Sequence, residues 1–225
     1  MSRSSSSQRL FVTGTDTGVG KSEVSSALLR LLAASGAKPF AWKPCETGGD
    51  EDSTRLWKAA GAWQRKEDVC SYRFKQPLAP GVAAKLEKRS VDFARLVKVF
   101  RDFGDGSGVV EGAGGLHVPL AGKLEIIDLI GALKLPVVLV ARAGLGTLNH
   151  TTLSMNALLE RKVRVAAIVL SRSSAIADPS IPHNAPELQR RFPRVRVLGP
   201  VPFIADEKRR ERAFERALAP VLVRV

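Results

Sequence analysis

Residues 11–22, FVTGTDTGVGKS, carry the first recognisable chemistry of the chain. Gly14, Gly18 and Gly20 stand between an apolar run and the pair Lys21-Ser22. Small residues let backbone N–H groups close around phosphate oxygens, and a helix starting at the pair adds the partial positive charge of its N-terminus. The Lys21 ammonium can reach the outer phosphates of a nucleotide, and the Ser22 hydroxyl can ligate Mg²⁺. Thr15, Asp16, Thr17, Gly18, Val19, Gly20, Lys21 and Ser22 are therefore the candidate phosphate-binding residues. The loop is one residue longer than the common G-x-x-x-x-G-K-[ST] pattern, so it is a variant. The competing reading is an ordinary glycine-rich turn, against which the Lys-Ser pair at the helix start argues.

Functional groups in an open parallel sheet gather at the carboxyl ends of its strands, and the first four predicted strands each deliver some. The second delivers Lys43, Thr47 and the acids Asp50, Glu51 and Asp52; the third delivers Glu111 and the glycine turn 112–115; the fourth delivers Gly144, Gly146, Thr147 and Asn149. Glu111 ends an apolar strand, where a charge is costly unless it faces a partner such as Mg²⁺; a capped turn carboxylate is the alternative. Asp52 reads either as a second metal carboxylate or as the N-cap of a helix over 53–60, and Asp50 competes with it. Lys43 faces either the site or solvent, and beside Lys21 it would put two ammonium groups around a transferring phosphoryl group. The turn at 144–149 either offers free N–H groups to a carboxylate or is capped by Thr147 or Asn149. His117, His150 and His183 have no metal-ligand spacing and there is no G-x-S-x-G, so zinc sites and hydrolytic triads have no support.

Strand and helix patterns alternate almost throughout, which predicts an α/β fold with a mostly parallel sheet. A buried strand at 10–12 precedes a helix over 23–35, where Val24, Ala27, Leu28, Leu31 and Leu32 share one face. Strands are expected at 39–43, 108–111, 136–141, 163–170 and 195–200. Helices are expected at 53–60, with Leu56 and Trp57 inward, and at 92–103, 125–133, 151–160 and 207–218. Residues 71–82, with Pro77 and Pro80, read as an irregular excursion, and 119–123 as a loop. No repeat or linker divides the chain, so residues 9–225 are expected to form a single domain behind a flexible serine-rich tail, 1–8.

With 225 residues, 44% of them hydrophobic and 25% charged, the chain is an ordinary globular sequence with no run of membrane-spanning length. Its two cysteines define no disulfide framework and fit a reduced cytoplasm. A net charge of +13 invites a nucleic-acid reading. The basic residues are spread along the chain and aromatics are few, which favours a solvated basic surface that attracts anionic substrates.

The segments VTGTDTGVGKS, WKPCETG, RFKQPLAPGVAA, VEGAGGLHVPL, LVARAGLGTLNHTTL and LGPVPFIAD resemble, in order and spacing, the dethiobiotin synthetase family, over nearly all of the chain after the tail. The resemblance implies a three-layer P-loop NTPase fold with helices on both faces of the sheet. It also implies a reaction: ATP-dependent carboxylation of 7,8-diaminononanoate with CO₂ or bicarbonate, then closure of a ureido ring. Lys21 and Lys43 would stabilise the carbamate and the transferring phosphoryl group. Ser22, where the family usually has threonine, would bind Mg²⁺ with Asp52 and Glu111, and Glu111 would also adjoin the nucleotide. Thr47 would lie near the diamine. Gly114 and Gly115 would lie along substrate and phosphate, while Gly146, Thr147, Leu148 and Asn149 would hold the substrate carboxylate from the partner subunit of a homodimer. Pro202, Phe203 and Ser171 would adjoin the base. Some members read adenine with Asn-Asp where this chain has Ser171 and Arg172, so bidentate reading is lost and other nucleoside triphosphates become candidates. No nucleic-acid or membrane partner is expected, and the location expected is the cytoplasm.

Two other readings use the same loop. A partitioning or division-site switch ATPase would carry a second lysine early in the loop, where this chain has Asp16. A non-enzymatic nucleotide-binding regulatory domain would leave Lys43 and the carboxylate-binding turn without a role.

Overall fold

The first strand, β1 (Arg9–Gly14), already defines the layers: Phe11 points into one apolar core and Leu10 and Val12 into the other, all fully buried. Such two-sided burial is what a central parallel strand requires. The computed structural model describes residues 7–222. β1 leads to α1 (Lys21–Ala34), β2 (Phe40–Thr47), α2 (Glu51–Ala59), β3 (Cys70–Phe74), α3 (Pro80–Leu86), α4 (Phe93–Asp102) and β4 (Gly108–Glu111). A small antiparallel pair, β5 (Pro119–Ala121) and β6 (Leu124–Glu125), precedes α5 (Ile126–Leu133) and β7 (Val137–Arg142). The chain ends through α6 (Thr147–Glu160), β8 (Val165–Ser171), α7 (Ile181–Arg191), β9 (Arg196–Val201) and α8 (Glu207–Leu222).

Seven strands form one sheet in the order β3-β2-β4-β1-β7-β8-β9, and every pairing in it is parallel. The second core lies under α1, α2 and α8, through Leu28, Leu56 and Phe214. The first lies under α3 to α7, through Ala83, Phe100, Ile127, Met155 and Leu188. The sequence thus folds into the three-layer α/β architecture expected of it.

Several expectations need correcting. Residues 71–82 are not irregular, because Cys70–Phe74 is the edge strand β3 and Pro80–Leu86 is α3, with Pro80 in the first helical turn where a missing N–H costs nothing. The loop at 119–123 contributes to a hairpin. Helix α7 was not anticipated, since Pro182 and Pro186 disguise it; the first lies in its opening turn and the second removes one internal hydrogen bond. β2 continues past Lys43 because it changes partner there. Phe40 to Trp42 pair with β4, Lys43 to Thr47 pair with β3, and Pro44, with no N–H to donate, is absent from both registers. α6 starts at Thr147, four residues earlier than the apolar pattern suggests. Of the serine-rich tail, residues 1–6 lie outside the described residues. Ser7 and Gln8 are not loose: they bond to Gly106, Ser107, Gly108 and Leu222.

Candidate active site

The loop after β1 turns over the carboxyl edge of the sheet and hands the chain to α1. Gly20 sits at φ 97°, a left-handed conformation that disfavours any side chain, and it is the N-cap residue of α1. A Cβ on Gly14 would lie 2.8 Å from the Asp16 carbonyl oxygen, so the crossing of the loop over itself needs glycine there too. Lys21 is buried and its Nζ donates to the Asp16 carbonyl at 2.8 Å. The Thr15 N–H is bonded to Val140 of β7, while Asp16, Thr17 and Gly18 are exposed and Val19 is buried beneath them. The Asp16 carboxylate pairs with Arg142 at 2.7 Å.

Beneath this loop four polar groups converge. Ser22 Oγ stands 2.7 Å from Asp52 Oδ1 and 3.0 Å from Glu111 Oε1. Lys43 Nζ donates to Asp52 Oδ2 at 2.6 Å and to Glu111 Oε1 at 2.5 Å. Glu111 is fully buried and Lys43 nearly so, at 4% exposure. Burial works against the charge on Lys43, but Glu111 and Asp52 together outweigh it and hold its pKa above the ordinary lysine value. Burial likewise opposes the charge on Asp52, yet the Lys43 ammonium and the Ser22 hydroxyl hold its carboxyl below the usual range. Lys21 shifts the other way: burial lowers its pKa, and the nearby carboxylates do not fully offset it.

These residues fit a hard divalent cation. One hydroxyl proton on Ser22 cannot satisfy two carboxylates at once, and Glu111 Oε2 is buried without a hydrogen-bond partner. A hydroxyl and two carboxylates are the donors Mg²⁺ takes from a protein when phosphate and water complete its shell. Of the two competing aspartates, Asp52 is the one brought here. Asp50 turns outward to Lys66 and Thr54.

The cleft in front of this cluster has a volume of about 690 Å³. Its walls come from the loop, from Lys43, Glu46 and Thr47 of β2, from Asp52 and Arg55 of α2, from residues 77–80, and from Ala113 and Gly114. Gly115 lies just outside, in a groove it shares with Thr15, Thr17 and Leu153. Ser171, at the end of β8, is buried against Gly20, its Oγ 3.0 Å from where a Cβ would stand. Pro202 lines a separate groove beside α8, and Phe203 is 43% exposed. Glu23 at the start of α1 accepts from Arg55 at 2.5 Å and from Arg210 at 3.1 Å, tying α2 and α8 to the head of α1.

Gly146, Thr147, Leu148 and Asn149 line no part of this cleft in their own chain. They form the N-terminus of α6, and no side chain caps it: Thr147 is fully buried with its hydroxyl 3.3 Å from that of Thr151. The neighbouring Leu145 N–H is taken by Asp178. Sequence reasoning did not single out Glu46, Arg55 or the wall at 77–80 as site residues. The signal for Glu46 was its place three residues after Lys43 at the end of the same strand.

A family described as an AAA domain matches residues 8–210. The ATP-dependent dethiobiotin synthetase of Anaeromyxobacter dehalogenans (strain 2CP-C) is 47% identical over 216 residues, covering 93% of this chain and 96% of that one. This chain belongs to the dethiobiotin synthetase family. The Methanococcus vannielii member is 34% identical over 197 residues, covering 87% of this chain and 90% of its own. The solved MinC:MinD cell division protein complex of Aquifex aeolicus has a TM-score of 0.58 over 97% of this chain and 95% of that one. At 12% identity that likeness concerns the fold alone.

Proposed function

We propose that this chain catalyses the ATP-dependent conversion of 7,8-diaminononanoate and CO₂ to dethiobiotin, in biotin biosynthesis. One amine of the diamine adds to CO₂ and loses a proton, giving a carbamate. A carbamate oxygen takes the γ-phosphoryl group of ATP and ADP leaves. The neighbouring amine then attacks the carbonyl carbon of this mixed anhydride, expels phosphate and closes the ureido ring. The single observation that carries the reading, beyond family membership, is the convergence of Lys21, Ser22, Lys43 and Asp52 on one cleft, with Glu111 buried beneath Ser22 and Lys43.

Such chemistry asks a protein for positioning and charge neutralisation. Lys43 is held protonated and fixed by two carboxylates, ready to offer a proton on nitrogen to a carbamate or a transferring phosphoryl oxygen. Lys21, at the mouth of the loop, is suited to the outer phosphates. Mg²⁺, held by Ser22, Asp52 and Glu111, would neutralise phosphate charge. Thr47, at the end of β2, would offer its hydroxyl to the diamine, with the backbone at Gly114 in the cleft wall and that at Gly115 just beyond it.

The N-terminus of α6, which no side chain caps, presents the positive end of its helix dipole and is suited to the substrate carboxylate. Because it lies away from its own cleft, it would serve the partner's in a homodimer, and exposed Leu145 and Leu153 beside it support that arrangement. Ser171 offers a single hydroxyl toward the base, and Arg172 is occupied by the carbonyls of Ala175 and Ile176. We therefore infer a relaxed choice of base, contacted by Pro202 and Phe203. Residues 9–225 would act as one domain in the cytoplasm; among the described residues no helix is long and apolar enough to cross a membrane.

Phosphate release with 7,8-diaminononanoate, bicarbonate, Mg²⁺ and each nucleotide in turn tests the reaction, the phosphate loop and the choice of base. Release should depend on the diamine, proceed at comparable rates with ATP, CTP and GTP, and vanish in Lys21→Ala. Normal turnover by that variant would overturn the phosphate-loop mechanism, and a strong ATP preference would overturn the relaxed base choice.

A further inference from the structure

The start of α2 is held in an unusual way. Its N-cap residue, Asp50, makes no side-chain cap and turns instead to Lys66 and Thr54. Two of the orphan N–H groups that a helix start must satisfy are met from the neighbouring strand. Glu46 of β2, 4% exposed, accepts from the Asp52 N–H at 2.8 Å and from the Ser53 N–H at 3.1 Å, both at Oε1. A carboxylate at that place also meets the positive end of the helix dipole. Ser53 is fully buried, and Arg73 of β3 donates to its hydroxyl, so the first turn of α2 is fastened from below by two adjacent strands.

The residue whose backbone Glu46 holds is the one whose side chain meets Ser22 and Lys43. We infer that Glu46 is a positioning residue for the metal-holding carboxylate: by fixing the backbone of Asp52 it aims Oδ1 at Ser22 and Oδ2 at Lys43. β2 then sets both halves of the cation–carboxylate arrangement, Lys43 directly and Asp52 through Glu46 three residues later. Glu46 needs no contact with the metal or the reactants to do this. The inference rests on the proposed metal role of Asp52.

The test is Mn²⁺ binding to the protein–ADP complex, followed by electron paramagnetic resonance, with ADP affinity measured separately in excess chelator. Glu46→Ala, and Glu46→Asp, which keeps the charge but is one methylene too short to bring its oxygen to the two N–H groups, should weaken Mn²⁺ binding about tenfold or more, as lost outer-shell partners do. Chelator-measured ADP affinity should be unchanged in both, which a general loss of structure would not allow. Glu46→Gln keeps the accepting oxygen and should stay close to the parent. Asp52→Asn is the control. If it loses Mn²⁺ affinity while both Glu46→Ala and Glu46→Asp keep theirs, the positioning role is wrong. If Asp52→Asn itself binds Mn²⁺ like the parent, the metal reading of Asp52 falls, and the role of Glu46 with it.

Discussion

Lys21 and Lys43 are both buried lysines in one cleft, yet their environments move them in opposite directions. Lys43 is raised, so its ionisation stabilises the fold at every pH below the ordinary lysine value of 10.5, and that contribution is lost only as pH climbs through its own higher value. Lys21 is lowered, so its charge is a cost to the fold below its own pKa, relieved as pH rises toward 10.5. The two lysines should therefore separate stability from activity. Lys43→Met removes the ammonium partner of the buried Glu111 carboxyl group and should cost about 3–5 kcal/mol, the range for breaking a buried pair. Adding Glu111→Gln should recover much of that loss. Lys21→Met should leave the urea midpoint unchanged or raised, although both lysine variants lose turnover. A Lys43→Met protein as stable as the parent would contradict the pairing described.

Among the elements, the patterns that were legible in the sequence are those where burial alone decides the period. β1, β7 and β8 read as apolar runs because both their faces are covered, and α1 reads as a stripe because one of its faces is. β3 alternates buried and half-buried residues over only five positions and is followed at once by prolines, so its pattern is too short to stand out. The choice between Asp50 and Asp52 was likewise illegible, since an acid at the N-cap and one two residues later in the first turn both read as plausible helix-start carboxylates. Glu46 was missed for a related reason: a carboxylate that caps a helix from another element leaves no local motif. The sheet centre also contains a glycine whose role only the packing reveals. A Cβ on Gly108 would fall well inside contact distance of the carbonyl oxygen and ring of Phe40 on the adjacent strand. Backbone cannot yield as a flexible side chain can, so Gly108→Ala should lower stability by about 1–3 kcal/mol, read as a lower urea midpoint at unchanged slope.

At the scale of the whole molecule, some basic residues link elements, as Arg30 to α8 and Arg210 to Glu23 illustrate, and the +13 is the surplus beyond such pairs. Arg209, Arg212 and Arg216 on α8 have no carboxylate partner among the described residues and line the groove that reaches Pro202, consistent with a solvated basic surface near the place proposed for the base. The proposed homodimer makes its own prediction. Leu153→Glu places a charge on a helix position that is 62% exposed in the isolated chain and should cost the monomer little. In sedimentation velocity the variant should run as a monomer, with KM for the diamine raised and nucleotide binding intact. A dimeric variant with unchanged KM would remove α6 from the site.

β2 divides its hydrogen bonds between two neighbours, β4 before Lys43 and β3 from Lys43 onward. The consequence is one of local opening. β3 joins the sheet through residues 43–47, and α3 packs behind it with the wall at 77–80. Loosening this margin leaves the β4-β1-β7-β8 pairings whole, so its free energy of opening is lower than that of global unfolding. Amide protons of β3 should therefore exchange with solvent well before those of β1. The cleft then has a side that can yield to admit a diamine and release a ring while the phosphate loop stays in place.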